Sequence, residues 1–405
     1  MVIRKAYKFK LKVKDESFLI ETHRACRFVW NKFLSMNLYR LENGYNLLWY
    51  DEMAFWLKTF KQSEDYSFLK NAPSQVLQQT LKDLEKAFRD AFDKKQPLKR
   101  IPVFKKKGRD TSGFRFPQGF KLQGSKVFLP KMGWLGYFNS QTIEGKAKNI
   151  TVRRQPTGWF MSVQVEFAIA EPQHPSTSMV GIDMGVAQFA TCSDGTVIDP
   201  VNSLRGAQDK LTRLQRQLAR KKKFSNNWKK LKHKIGILHN TIANIRRDFL
   251  QKESTSISKN HAMIVVEDLK VSNMSRSAKG NIDKPGKNVK AKAGLNKSIL
   301  DQGWGLFVDM LKYKQAWNGG DVLKVDPRHT SQTCPNCHHV SKENRQTQEK
   351  FECISCGYTE NADTVAAMNI LERGHRLLAC GETDIGLLSE AGTKKLSDEL
   401  EPVAA

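Results

Sequence analysis

The sequence predicts a multidomain α/β protein, and three observations support that prediction. Strand-like and helical segments alternate between residues 179 and 325, as they do in α/β sheets. Two C-x-x-C pairs interrupt this part of the chain shortly before its last helix. The first 172 residues combine short strands with a helical block, which indicates a small β-barrel interrupted by helices.

Charge is the strongest compositional signal. The 405 residues include 67 Lys and Arg against 41 Asp and Glu, a net charge of +26. Because solubility needs far less charge, a polyanion is the expected partner, with a membrane surface as the weaker alternative. The sequence has no apolar run of about 18 residues and no signal peptide. We therefore expect no membrane partner, and the cysteine usage favours the reducing cytoplasm.

The N-terminal region reads as one strand followed by a helical block. Residues 1–13 alternate apolar and Lys side chains, which predicts a half-exposed strand with a basic face. Residues 14–95 contain apolar positions at helical spacing, and Ser74 is a candidate N-cap of the last helix. The predicted helices cover residues 18–41, 47–60 and 75–92.

Residues 96–172 change to short strands in which basic residues alternate with aromatics. Strands are predicted at 127–129, 150–153 and 159–167. The aromatic residues near the start of this region are Phe104, Phe114, Phe116 and Phe120. They could stack on nucleic-acid bases or form the core of a barrel, and the two roles are compatible.

The clearest sheet follows a linker at 172–178. A strand ends at Asp183, a second covers 186–192, and Ser-Asp-Gly predicts a hairpin turn into a third. Gly181 and Gly185 flank Asp183, and we expect them to leave backbone room for a metal or phosphate.

The remaining elements alternate helices with buried strands. Residues 204–250 predict two basic antiparallel helices around the run 220–223; a plain coiled coil is the alternative to a nucleic-acid cradle. An apolar strand then ends at Glu267. The segments after it are a predicted mobile loop at 271–298, a helix at 299–317, a strand at 321–325 and a helix opened by Asp363.

The two C-x-x-C pairs predict one structural zinc ion. Their residues are Cys334, Cys337, Cys353 and Cys356. Each pair supplies two thiolates from one turn, and the separation of the pairs falls in the zinc-ribbon range. The second pair is followed by Gly357, which tolerates a tight turn, whereas the first is followed by His338. Disulfides are the alternative.

Three acids follow at positions where a sheet would gather them. Asp183 and Glu267 end strands, and Asp363 opens the last helix. The order β-β-β-α-β-α-β-α is that of an RNase H-like sheet. Carboxylates held together repel, so we expect two Mg²⁺ ions that activate a water at a phosphodiester. Each acid alone also fits a turn, strand-end or N-cap role.

Successive blocks of the chain resemble the signature blocks of the TnpB family over residues 1–373. These blocks are GIDMGVAQFATCSDG, IVVEDLKVSNM, GWGLFVDMLKYKQAWNGG, TCPNC, CISCGYT and NADTVAAMNI, with RACRFVWNKFL near the N-terminus. TnpB proteins are transposon-encoded, RNA-guided DNA endonucleases related to type V CRISPR effectors.

The resemblance implies the domain plan and the chemistry. A wedge β-barrel would comprise 1–13 and 96–172, and a helical recognition domain would comprise 14–95. A RuvC-like nuclease domain at 173–328 and 360–380 would hold an inserted zinc ribbon at 329–359, before a flexible tail at 381–405. Asp183, Glu267 and Asp363 would be the catalytic acids, and the loop at 271–298 would form a lid over them.

The resemblance also implies partners and contacts. The protein would bind a noncoding guide RNA, as a monomer on one RNA, and cleave double-stranded target DNA beside a short transposon-adjacent motif. The positions matching the family's motif contacts are Tyr50, Ser74, Gln78 and Gln118. The last block departs from the family, since Asn361 stands for an Asp and Val365 for an Asn.

Three other functions stay open on the sequence. A strand-transferring transposase could use the same sheet, a guided binder could act without cleavage, and a zinc-ribbon nucleic-acid binder would explain the charge and the cysteines. The last alternative leaves the three acids as coincidences.

Overall fold

The computed structural model describes residues 1–107, 113–281, 284–347 and 349–379. The predicted tail and Cys380 lie outside these residues. The chain divides into two compact units, Met1–Ala170 and Glu171–Ala405. Within the described ranges, every helix is too short or too polar to cross a membrane.

The first unit contains a seven-stranded antiparallel sheet. Its strands are β1 (Val2–Lys12), β2 (Phe114–Phe116), β3 (Lys121–Gln123), β4 (Lys126–Leu129), β5 (Gly133–Tyr137), β6 (Lys146–Gln155) and β7 (Gly158–Ala168). Their order is β2-β6-β7-β1-β5-β4-β3. The first strand is central because its N-terminal part pairs with β7 and its last residues pair with β5. The alternation predicted for it is confirmed: Tyr7, Phe9 and Leu11 are buried, and the lysines between them are exposed.

The helices of this unit are α1 (Ser17–Glu42), α2 (Tyr50–Gln62) and α3 (Ser74–Phe92). A 3₁₀ turn at Glu64–Lys70 joins α2 to α3 and was not predicted. Helix α3 packs its buried stripe into the same core as the sheet. The capping role predicted for Ser74 is wrong. Pro73 precedes the helix, and the Ser74 hydroxyl accepts a hydrogen bond from Lys61 instead, at 3.0 Å.

The aromatics of residues 96–120 differ in burial, and the core role is confirmed for two of them, while stacking on bases stays a prediction. Phe114 and Phe116 are buried in the core of the unit. Phe104 remains 47% exposed. The sequence could not separate them because both kinds of site alternate with basic residues.

The second unit is built on a five-stranded mixed sheet. Its strands are β8 (Met179–Asp183), β9 (Ala190–Cys192), β10 (Val197–Ile198), β11 (Met263–Glu267) and β12 (Asp321–Val325), in the order β10-β9-β8-β11-β12. The first three form an antiparallel meander, and β8, β11 and β12 run parallel. The predicted meander and both later strands are confirmed, except that the second strand, predicted at 186–192, covers only Ala190–Cys192. Because β8 and β11 are parallel neighbours, Asp183 and Glu267 lie at the same edge of the sheet.

Six helices accompany this sheet in the described part of the unit. They are α4 (Ser203–Ala219), α5 (Asn226–Asn260), α6 (Val271–Met274), α7 (Val289–Gln302), α8 (Trp304–Asn318) and α9 (Ala362–Ala379). The two predicted basic helices are α4 and α5, and they pack against each other. Buried Asp301 accepts hydrogen bonds from Ser203 Oγ and the Leu204 amide and pairs with Arg246, so it joins α4, α5 and α7.

The prediction for residues 271–317 needs correction. Within the predicted mobile loop, Val271–Met274 form the short helix α6, and residues 289–298 are the first part of α7. The single helix predicted at 299–317 is two helices, because Gly303 has φ +77° and breaks the hydrogen-bond ladder between them. Lys, Gly and Asn hide the helical character of 289–298, although most of its side chains are solvent-exposed as in an ordinary surface helix.

A small hairpin completes the second unit between β12 and α9. Its strands are β13 (Lys350–Glu352) and β14 (Thr359–Asn361). Phe351 is buried beside Cys334, Cys353, Ala362 and Val365, so the cysteine module shares a core with the first turns of α9.

Candidate active site and metal centre

The three predicted acids come from two strand ends and a helix start. Asp183 is the last residue of β8, Glu267 is the last residue of β11, and Asp363 lies in the first turn of α9. Helix α9 packs across β8 and β11, which brings its first turn to the edge where the two strands end. The structure therefore gathers the three carboxylates at one edge of the mixed sheet.

Asp183 shows the electrostatic consequence of this gathering. The pKa of Asp183 is raised to about 7, mainly by burial and also by the negative charges of Glu267 and Asp363. Arg345 and the amide of Met184 oppose the shift. A buried carboxylate next to two others is unfavourable unless a cation compensates it, and this is the environment that holds divalent ions.

Glu267 is held in place by a buried hydroxyl. Its side chain is 8% exposed, and Thr330 Oγ1 lies 2.7 Å from its Oε1. Burial raises the pKa of Glu267, while the Thr330 hydrogen bond and the charge of Arg373 lower it. Asn369 of α9 donates to the carbonyls of Thr330 and Thr333 at 2.8 and 2.7 Å, so α9 fixes the segment that orients Glu267.

Asp363 does not cap its own helix. Asn361 Oδ1 accepts from the amides of Asp363 and Thr364 at 2.9 and 3.3 Å and is the N-cap of α9. The Asp363 carboxylate is therefore available to other groups. Its Oδ1 lies 3.0 Å from Nη2 of Arg345.

Arg345 is the residue that the sequence reasoning missed. It belongs to the cysteine module, between its two pairs, and its guanidinium lies close enough to influence Asp183 as well as Asp363. No periodicity or motif spacing marks it. Only the fold, which places the module against the start of α9, brings this cation to the acids.

The expected role of the glycines beside Asp183 is wrong. A Cβ on Gly181 would lie 2.2 Å from the carbonyl oxygen of Ala367, so helix α9 occupies the space expected for a ligand. A Cβ on Gly185 would lie 2.8 Å from the carbonyl oxygen of Gln188. Both glycines allow the protein's own backbone to approach closely.

Neighbouring acids have structural roles. Asp268 follows Glu267 but pairs with Lys270 and with Lys324, whose Nζ is 2.9 Å away. Asp194 accepts from the Thr196 amide at 2.9 Å within its hairpin turn. A cleft of about 150 Å³ opens beside Glu267, lined also by Asp309 and Trp304.

The four cysteines form a cluster that could hold a zinc ion. All four Sγ atoms lie within 4.8 Å of one another, and among the described residues no other set of three or more such ligands is as compact. Cys334 and Cys356 Sγ are 3.6 Å apart, and Cys337 and Cys353 Sγ are 3.5 Å apart. A disulfide bond would be about 2.05 Å long, so the disulfide alternative does not describe this arrangement. Thiolates about 2.3 Å from a tetrahedral zinc ion are separated by nearly these distances.

Both cysteine turns have the same backbone. The amides of Cys334 and Cys353 donate to the carbonyls of His339 and Tyr358 at 2.9 and 2.8 Å. The residue after each pair is left-handed, with φ +58° at His338 and +73° at Gly357. The second turn is thus relaxed, and the first forces a side chain into a conformation that favours glycine.

The predicted DNA-motif residues lie in the first unit. Tyr50 begins α2 and has the ammonium of Lys82 4.8 Å from its ring centroid. Ser74 and Gln78 lie one turn apart on α3, and Gln78 is exposed. Gln118 is exposed in a loop that approaches the start of α3. Their role in DNA contact stays a prediction.

Three family descriptions match parts of the chain. Residues 160–278 match the OrfB_IS605 family, described as "Probable transposase", and residues 304–370 match the "Cas12f1-like, TNB domain". Residues 1–44 match a family described as "Helix-turn-helix domain". Over these last residues the structure has β1 followed by the single long helix α1.

The chain is similar to named proteins over nearly its whole length. It is 53% identical over 381 residues to "Putative RNA-guided DNA endonuclease InsQ" of Escherichia coli (strain K12), covering 93% of this chain and 94% of that one. A relative of Streptomyces pristinaespiralis with the same descriptive name is 29% identical over 388 residues, covering 94% and 92%. A solved Cas12f1–sgRNA–target DNA complex matches at 16% identity with TM-score 0.34, covering 92% of this chain and 100% of that chain.

The extent of the first match decides the family. At 53% identity over 93% of the chain, the similarity spans both units. The resemblance to TnpB drawn from the signature blocks is confirmed. The chain belongs to the OrfB/TnpB family, in which its relatives are named RNA-guided DNA endonucleases.

Proposed function

We propose that the protein is an RNA-guided, Mg²⁺-dependent DNA endonuclease whose catalytic residues are Asp183, Glu267 and Asp363. The convergence of these acids carries the proposal, because the charges of Glu267 and Asp363 both act on buried Asp183. The mixed sheet with acids at the ends of β8 and β11 fits a RuvC-like, RNase H-like domain. The proposal extends to this chain what the names of its relatives say of them.

The donor set fits hard divalent cations. It consists of carboxylates alone, and Mg²⁺ prefers oxygen ligands. When bound, two Mg²⁺ ions would supply an activated water and charge stabilisation at the leaving oxygen. The chain's own residues prepare this site: Thr330 orients Glu267, Asn361 caps α9, and the packing of α9 on β8 fixes Asp363 relative to Asp183.

Arg345 completes the proposed site. In the structure it neutralises Asp363 through the 3.0 Å contact. A guanidinium presents paired donors that match a phosphate, so Arg345 is positioned to hold the DNA backbone beside the acids once Asp363 has another counter-charge. The four cysteines would hold one structural zinc ion and thereby fix the module that carries Arg345.

The rest of the proposal concerns partners. The excess of 26 positive charges suits a guide RNA together with double-stranded target DNA. Residues 1–13 and 96–172 would form the wedge barrel and residues 14–95 the recognition domain, where Tyr50, Ser74, Gln78 and Gln118 would contact the DNA motif. The complex would be one chain on one RNA in the cytoplasm.

The decisive experiment is cleavage directed by a changed guide. The protein is purified with the RNA of its native locus, the guide segment is replaced, and cleavage of matching DNA is measured with Mg²⁺. Asp183→Ala should lower the rate at least about a hundredfold while RNA and DNA binding persist, because the carboxylate acts in the transition state.

Asp268→Asn is the matched control. Asp268 adjoins Glu267 in sequence, but its carboxylate pairs with Lys270 and Lys324 and not with the three acids, so its variant should cut like the wild type. Full activity of Asp183→Ala would contradict the assignment of the acids. The family description as a transposase favours strand transfer as the second candidate, and joining of DNA strands without guide-directed cutting would establish it.

A further inference from the structure

The tip of the α4–α5 hairpin carries a concentration of charge that the proposed active site does not use. We define the hairpin tip as residues 217–234. Between residues 210 and 247 the chain has 13 Lys and Arg and no Asp or Glu. The cations of the hairpin tip therefore have no acidic residue within reach on their own two helices. Their mutual repulsion favours binding of an external anion.

A cleft lies between the end of α4 and the start of α5. Its volume is about 440 Å³, and its walls include Arg220, Lys221, Lys230 and Lys234, with Leu231 as an apolar component. No acidic residue lines it among the described residues. Four cations around a concave space of this size form a site for phosphate groups.

Phe224 lies in the loop that joins the two helices lining this cleft, and its conformation is unusual. Its φ is +68°, a left-handed value that costs roughly 1–2 kcal/mol for a residue with a side chain. The ring is nevertheless 65% exposed. The chain thus holds an aromatic ring in water at a position where glycine would be relaxed.

Local structure explains the position of Phe224 but not its exposure. Ser225 caps α5 by accepting from the Trp228 amide at 3.2 Å, and the residue before an N-cap often packs on the first turn. Phe224 makes such a contact with Trp228, at 5.5 Å between ring centroids and an interplanar angle of 58°. Lys223 Nζ lies 5.3 Å from the Phe224 centroid, so the ring is bordered by positive charge.

We propose that the hairpin tip is an RNA-binding site at which Phe224 stacks on an unpaired base while the cleft binds the adjoining phosphates. An exposed ring beside cations is the combination that proteins use for single-stranded nucleic acid. A base within a duplex has no free face, so the ring selects a loop or bulge. The inference rests on the proposed function, which supplies RNA as the partner.

The binding test uses the full-length protein and a fluorescein-labelled RNA hairpin with an open uridine loop. A blunt RNA duplex of equal length and the DNA form of the hairpin are compared with it by anisotropy. Phe224→Gly removes the ring and also relieves the left-handed strain, so its melting temperature should not fall. We expect this variant to bind the looped RNA at least about fivefold more weakly and the blunt duplex as well as the wild type does.

Two further variants make the test specific. Phe224→Tyr should restore looped-RNA binding because it keeps an aromatic face. Ile245→Ala, a truncation of another exposed apolar residue of α5, should bind like the wild type. The double variant of Lys221→Ala and Lys230→Ala should weaken looped and blunt RNA alike and, because it removes two phosphate contacts, reduce the salt slope by about 1.5.

The outcomes separate this inference from the proposed function. Unchanged looped-RNA affinity of Phe224→Gly overturns the inference alone, whereas a wild-type protein that binds neither RNA removes the RNA-guided function as well. An equal loss on the DNA hairpin would replace RNA by a DNA strand as the partner. Photocrosslinking with 5-iodouridine in the loop should label Phe224, and labelling confined to residues 1–170 would contradict the assignment.

Discussion

At the scale of single residues, two buried charges differ in what surrounds them. Asp183 faces two further carboxylates, an arrangement that disfavours the metal-free protein and is typical of a functional site. Lys314 instead has three neutral acceptors: Gln251 O, Ser254 Oγ and Thr255 Oγ1 at 2.8, 2.7 and 2.6 Å. It joins α8 to α5 as a structural residue.

Lys314 should make stability depend on pH. Burial lowers the pKa of Lys314 to about 8, below the 10.5 of an unburied lysine. Between these values the unfolded chain binds more protons, so this group's contribution to stability rises with pH from about 8 to about 10.5. At pH 7 the Lys314→Met variant should therefore have a higher melting temperature than the wild type, and this difference should shrink toward pH 10. Lys252→Met is the control, because Lys252 is exposed and Asp248 raises its pKa instead of lowering it. A difference in melting temperature between Lys314→Met and the wild type that did not change with pH would contradict the assignment.

At the scale of elements, the cysteine module and helix α9 act as one piece. The Ala362 amide donates to the carbonyl of Glu349 at 2.9 Å, and Val365 is buried against Phe351 and two of the cysteines. The two departures from the family's last block have roles here, because Asn361 caps the helix and Val365 fills the shared core. A folded module thus supports the helix that presents Asp363.

Replacing the left-handed residue of the first cysteine turn by glycine should strengthen zinc binding. His338→Gly places the preferred residue at φ +58° and should stabilise the zinc-bound module by about 1 kcal/mol, roughly a fivefold gain in zinc affinity. Competition with a chromophoric chelator measures this affinity. Gly357→Ala makes the opposite change in the second turn at φ +73°, where the added Cβ meets no atom within 4 Å, so it should weaken zinc binding through backbone strain alone. Equal affinities of the three proteins would show that the left-handed positions do not limit the fold of the module.

The same elements show what the sequence could predict. Strands with apolar periodicity and acids at their ends were placed correctly because burial on both faces leaves a strong pattern, as in β8 and β11. Residues 289–298 were missed because a surface helix has little apolar pattern. Arg345 and the packing of α9 on Gly181 depend on contacts between segments distant in sequence, which no local pattern encodes.

At the scale of the whole molecule, charge and fold serve the same proposed partners. Each unit has its own core, so the positive charge is not required for folding and adds self-repulsion to it. A net charge of +26 is useful to the protein only if it binds polyanions that neutralise the charge. In the second unit the cations concentrate on α4 and α5, away from the acids in sequence, so one unit carries both the proposed anion-binding hairpin and the proposed cation-binding site.

Salt should therefore control RNA affinity steeply. Neutralising several phosphates releases counterions, and with five or more contacts to single-stranded RNA the affinity should fall at least about a hundredfold between about 50 and about 200 mM salt. Anisotropy with the RNA of the native locus measures the slope, and circular dichroism at each salt concentration checks that the protein stays folded. Asp183→Asn should show the same slope, because its site engages DNA at the cleavage step. If the RNA affinity of the wild-type protein did not change with salt, its positive charge would not be binding RNA phosphates. Every contact that releases counterions depends on the salt concentration.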